Sequence, residues 1–182
     1  MINMSTTGFR LWYYSPFYEL CLFSVIYNHQ WTNINKAICS IHNNPPAKNC
    51  DCGFYALKTT YTKNSEYLSQ IIIQEKVWKH FGIDPIFFLE TTLLNPKDGL
   101  TFMGYVRLDG RICENKFYYR GEYAKVDTIF LPIELAGHEK IAKQLKRNYE
   151  CDIVTFSLLE MVEKSKSYLE SFSCSRLYTY SK

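Results

Sequence analysis

The sequence predicts an α+β protein: a single compact domain over residues 1–182, with a curved, mainly antiparallel sheet, one cysteine-rich loop and two or three helices. Three observations carry this expectation. Runs rich in aromatic and β-branched residues fall in pairs around turn residues, as hairpins require. Strand-like runs and the last two helical patterns come in blocks rather than in βαβ alternation. With 47% hydrophobic residues, a chain of this length can bury one core. Within the domain, residues 1–60 read as a strand pair plus the cysteine loop, 61–135 as helix and sheet, and 136–182 as C-terminal helices.

In chain order, GFRLWYY (8–14) and ELCLFSVIY (19–27) predict two strands joined at Ser15-Pro16. Residues 28–49 are rich in asparagine and proline without a sustained period, which predicts a long loop that needs an organiser. Ser65 caps an expected helix to about Phe81, with Leu68, Ile71, Ile72 and Trp78 at helical spacing and Gly82 as terminator. IFFLETTLL (86–94) fits strand or helix, and Asn95 to Gly99 reads as a turn. LTFMGYVRL and RICENKFYY predict two strands about a tight Asp109-Gly110 turn, and VDTIFLP a further strand. Helical patterns follow at roughly 137–149 and 158–171, the second opened by Ser157 and Glu160 at capping-box spacing.

Charge and targeting narrow the function classes. The 21 basic and 18 acidic residues nearly balance, so a polyanion site would have to be a local patch. The N-terminal MINMSTTGFR lacks the charged start and apolar run of a secretory signal, and Leu20 to Tyr27 is too short to span a bilayer. The expectation is a cytoplasmic protein with no membrane association. Glycine-rich phosphate loops, H-E-x2-H, G-x-S-x-G and deaminase signatures are absent from the sequence. The chain therefore reads as a binding module more readily than as an enzyme.

Seven cysteines are many for a reducing compartment, where clustered thiols point to metal or to catalysis. Cys39, His42, Cys50 and Cys52 form C-x2-H-x7-C-x-C, four sulfur and nitrogen donors within fourteen residues. Three thiolates and one imidazole are a common closed set for structural zinc, and Asn43 to Pro46 supplies a stiff reversal between the two ligand pairs. Gly53 follows the last cysteine, where the backbone must turn. Because C-x-C is less usual than C-x2-C, one thiol could point away and His29 could replace it. Two other readings stay open: ordinary thiols in a proline loop, and Cys50 or Cys52 as a nucleophile activated by His42, with Asp51 the only acid nearby. Cys21, Cys113, Cys151 and Cys174 sit among apolar or strand-like neighbours and read as free buried thiols.

A second constellation is GYVRLDGRICENKFYYRGEYA (104–124). Arg107, Arg111 and Arg120, with Glu114 and Glu122, interleave with Tyr105, Tyr118 and Tyr119. Such a face can hold phosphate and stack on a base, with Arg107, Arg111, Tyr118 and Arg120 as the candidate contacts. Cross-strand Arg-Glu pairs on a solvated sheet explain the same residues. Lys140, Lys143 and Arg147 share one helical face that could add phosphate contacts or be solvated.

The run A-x-C-x2-H-x2-P-P-x3-C-x-C-G-F-Y-A (37–56), followed by GYVRLDGR and YRGEYA, resembles small bacterial proteins of uncharacterised function. The resemblance covers about a quarter of the chain. It implies that the knuckle maps onto Cys39, His42, Cys50 and Cys52, and it implies no activity. Those proteins carry a tryptophan before the Gly-Arg pair, where this chain has Asp109. Two functional expectations follow: a zinc-stabilised, non-enzymatic module that recognises nucleic acid or a nucleotide-like ligand, or a protein-interaction factor such as an inhibitor or adaptor from a mobile element. The oligomeric state is not legible in the sequence.

Overall fold

The structure is a computed structural model that describes residues 4–15, 21–24, 29–59, 100–157, 159–161 and 163. The expected α+β class holds. Among the described residues, seven strands form one sheet: β1 (Met4–Ser15), β2 (Cys21–Ser24), β3 (Asn35–Lys36), β4 (Phe54–Leu57), β5 (Leu100–Glu114), β6 (Tyr118–Pro132) and β7 (Asp152–Phe156). Helix α1 (His138–Tyr149) lies between β6 and β7. The expected helix at 65–81, the 86–94 segment, the 95–99 turn and Cys174 lie outside the described residues.

The sheet curls until it closes. Antiparallel β1, β5 and β6 pair along most of their lengths, and β4 pairs with β6 on one side and with β1 at Phe9–Leu57 on the other. β1, β5, β6 and β4 thus form a ring. Two bulges bend the long strands. Asp127 is an extra residue on β6 between the Tyr105–Thr128 and Val106–Val126 pairs, and Gly110-Arg111 face Glu122 alone between the Asp109–Tyr123 and Ile112–Gly121 pairs. At the first bend the backbones nearly touch: a Cβ on Gly104 would stand 1.9 Å from the Thr128 carbonyl oxygen.

The second bulge corrects the expected tight turn at Asp109-Gly110. Gly110 does take a positive φ of 81°, but it serves the bulge, and β5 continues to Glu114. The hairpin turns instead at Asn115 to Phe117, where the Asn115 Oδ1 accepts from the Phe117 and Tyr118 amides, each at 2.8 Å. An asparagine side chain mimicking a backbone turn closes this loop without a positive φ. VDTIFLP is accordingly the second half of β6, not a separate strand.

Alternation sorts β1 and β5 into two apolar faces. Trp12, Tyr14, Phe102, Val106 and Leu108 join Trp31, Phe54, Ala124 and Val126 in the ring interior. On the other face Phe9 and Phe130 pack edge-on against Tyr105, with ring centroids 6.0 and 5.8 Å away. Leu145 and Tyr149 of α1 are buried against the core, and the Tyr149 hydroxyl accepts from the Leu22 amide at 2.7 Å. β7 pairs with β6 in parallel, so the β6-α1-β7 passage is a crossover in an otherwise antiparallel sheet. After β7, Ser157 caps the start of the next helical turn: its Oγ accepts from the Glu160 amide at 3.3 Å. Among the described residues, no helix is long and apolar enough to cross a membrane.

Candidate metal centre

The segment of residues 29–49, expected to be all loop, contains the short strand β3 and gains its order from both ends. At its start Trp31 is buried, edge-on to Trp12 and Phe54 at 5.6 and 5.3 Å, and its amide bonds the Leu22 carbonyl at 2.8 Å. Asn35, also buried, donates to the Thr32 carbonyl at 2.8 Å and to the Ala124 carbonyl of β6 at 3.2 Å. The Ala37 amide then bonds the Glu122 carbonyl at 2.8 Å, so the chain leaves the sheet just ahead of Cys39. It returns through Cys50 and Cys52 directly into β4. Gly53 makes the return with φ of 113°, and a Cβ there would stand 2.9 Å from the Pro46 Cβ. Pro45 and Pro46 are buried, with a cis peptide between them.

These two passages bring all four expected ligands together. The donor atoms of Cys39, His42, Cys50 and Cys52 lie within 4.8 Å of one another. Cys39 Sγ is 3.7 Å from Cys50 Sγ, against about 3.8 Å for the edge of a tetrahedron with zinc–sulfur bonds of about 2.3 Å. It is 3.4 Å from His42 Nδ1, against about 3.6 Å for the corresponding sulfur–nitrogen edge. The cluster therefore has the geometry to chelate a metal ion. Both thiols of the C-x-C step converge, and His29 is not among the converging groups; its ring lies 5.6 Å from that of Phe54.

Backbone amides reach the sulfurs as they do around bound metal. The Ala47 amide donates to Cys52 Sγ at 3.4 Å. The Ile41 amide, and after it His42, holds the Cys39 thiol well below its ordinary value, at about 6. At Cys50 the Cys52 amide acts in the same direction, but the Cys52 thiol, burial and Cys39 outweigh it, and the net shift is upward.

The nucleophile arrangement is not assembled among the described residues. The hydrogen-bond partner of His42 is Cys39, and the Asp51 carboxylate faces the Tyr55 hydroxyl, at 3.5 Å from Oδ1. The remaining described cysteines form no disulfide. Cys151 is buried and pushed up to about 12 by that burial, Cys21 accepts from Gln30 at 3.1 Å, and Cys113 donates to the Pro46 carbonyl at 3.4 Å.

The arginine and tyrosine residues of 104–124 do not form one face. Tyr105 is wholly buried in the core. Arg107 is exposed and pairs with Asp109 at 3.0 Å, beside an open cleft it lines with Lys125, Asp127, Glu150 and Asp152. Tyr118 packs on Tyr55, with ring centroids 5.0 Å apart. Arg111 reaches to the metal loop and donates to the Asn44 carbonyl at 2.6 Å. Arg120 is 8% exposed; it donates to the carbonyls of Cys50, Cys52 (3.3 Å) and Ala47 (3.2 Å). Lys140, Lys143 and Arg147 are exposed on the side of α1 opposite Leu145 and Tyr149.

Sequence reasoning missed the two arginine struts and the exposure of the loop's isoleucines. Ile38 is 90% exposed and Ile41 78%, each next to a ligand. The only sequence signal for the latter was apolar residues in a segment with no core-facing period. No family model, no curated protein and no solved structure matches the chain.

Proposed function

We propose that the chain is a zinc-stapled, non-enzymatic binding module whose metal loop presents an apolar tip to a protein partner. Zinc is the preferred ion because a closed set of three sulfurs and one imidazole nitrogen suits its tetrahedral coordination best. The reading rests on the exposure of Ile38 and Ile41 beside Cys39 and His42. A large aliphatic side chain left in water forgoes about 1.5–3 kcal/mol of burial, which a protein partner covering Ile38 and Ile41 would recover. Ile34, just ahead of β3, is also 66% exposed.

The nucleic-acid reading draws on the cations of α1, because Arg111 and Arg120 are engaged with loop carbonyls and Tyr105 is buried. Photo-crosslinking inside the cell separates the two. A photoreactive residue at position 38 or 41 is expected to give discrete protein adducts that resist nuclease. Nuclease-sensitive adducts from position 143 alone, with none from 38 or 41, would reverse the assignment in favour of nucleic acid.

A further inference from the structure

The loop's two halves are fastened differently. Among the described residues, the Cys39–His42 half makes no hydrogen bond to the sheet after the Ala37 amide; its contacts are with the other ligands. The half from Asn44 to Gly53 is tied to β5 and β6 by Arg111, by Cys113 and above all by Arg120. Arg120 sits in β6 opposite Tyr55 of β4 and Cys113 of β5, so its backbone is fixed on both sides. From there its planar fork collects three carbonyls of one loop, two of them belonging to ligand residues.

We infer that Arg120 is the positioning residue of the metal centre. This rests on the reading of the cluster as a metal site but not on the identity of the partner. Two physical effects combine in one side chain. The fork holds the Cys50 and Cys52 backbone in place before the ion arrives, which removes ordering entropy from binding. Three thiolates and a neutral imidazole around a divalent ion leave one net negative charge, and the guanidinium balances it from a site shielded from water. Metal then fastens only the Cys39–His42 half, which carries Ile38 and Ile41.

The test measures zinc affinity of the full chain by chelator competition, with cobalt substitution to report tetrahedral thiolate coordination. R120Q is expected to weaken zinc binding by about 10–100-fold, the usual effect of removing a group that orients ligands. R120K, which keeps the charge and loses the fork, is expected to weaken it by about fivefold. K125Q, on the same strand but paired with Glu150 outside the loop, is expected to stay within about threefold. Hydrogen exchange on zinc-free protein is expected to show residues 47–53 protected and 38–42 open in the parent, with the protection of 47–53 lost in R120Q. Folded R120Q with parental affinity would overturn the inference. If R120Q does not fold, unchanged affinity in R120K overturns it. A parent chain that binds no zinc instead refutes the metal reading itself.

Discussion

Replacing Cys39 with serine tests the metal centre most directly, because its sulfur is the one in contact with both His42 and Cys50. Two of the three edges that meet at that sulfur, 3.4 and 3.7 Å, are each within about 0.2 Å of the tetrahedral values, and all four donors lie within 4.8 Å of one another, so an ion can enter by drawing the wider-set donors in. Binding of this kind is folding free energy. At free zinc of about 100–1,000 times the dissociation constant it contributes about 3–4 kcal/mol, or about 6–16 °C in Tm for a chain of this size. Serine offers no thiolate. Cys39→Ser should therefore hold well under one zinc per chain, melt that much lower than the zinc-loaded parent, and melt close to the chelator-treated parent. Elemental analysis and thermal unfolding with and without chelator read these quantities. Zinc below a tenth per chain in the reduced parent, or full zinc retention in Cys39→Ser, would refute the reasoning.

Tyr149→Phe deprives the buried Leu22 amide of its acceptor, and urea unfolding should show a loss of about 1–3 kcal/mol. Burial pushes both Cys151 and Tyr149 up to about 12, from ordinary values of 9.0 and 10.0. The unfolded chain ionises first, so their contribution is complete below pH 9 and is lost as pH rises from 9 to 12. Urea midpoints measured across that range should fall, and Cys151→Ala should make the first part of the fall shallower. Gly104→Ala places a Cβ 1.9 Å from the Thr128 carbonyl oxygen at the β5–β6 bulge. Neither backbone can yield there without breaking the ladder, so this variant should express without a cooperative unfolding transition.

Local chemistry explains why the ligand set and the ends of several elements were legible in sequence. Cys39, His42, Cys50 and Cys52 span fourteen residues around a proline reversal, so their spacing alone marks them as one donor set. Ser157 caps its helix through bonds no more than four residues long, and the period of 137–149 places Leu145 and Tyr149 inward and the lysines outward. The Asp109-Gly110 pair was legible as a site of positive φ but not as a bulge. A turn and a bulge ask the same conformation of glycine, and only the partner strand distinguishes them.

The sequence by itself determined the α+β class and the four donors, because strand content, helical period and ligand spacing are properties of neighbouring residues. Tertiary structure decided what the arginines do. Arg111 and Arg120 reach loop carbonyls 67 to 73 residues away along the chain, through the pairing of β4, β5 and β6, and no local pattern specifies that meeting. It also decided that Ile38 and Ile41 face water, since burial depends on whether the closed ring leaves a surface to cover them, which the hydrophobicity of a side chain does not reveal.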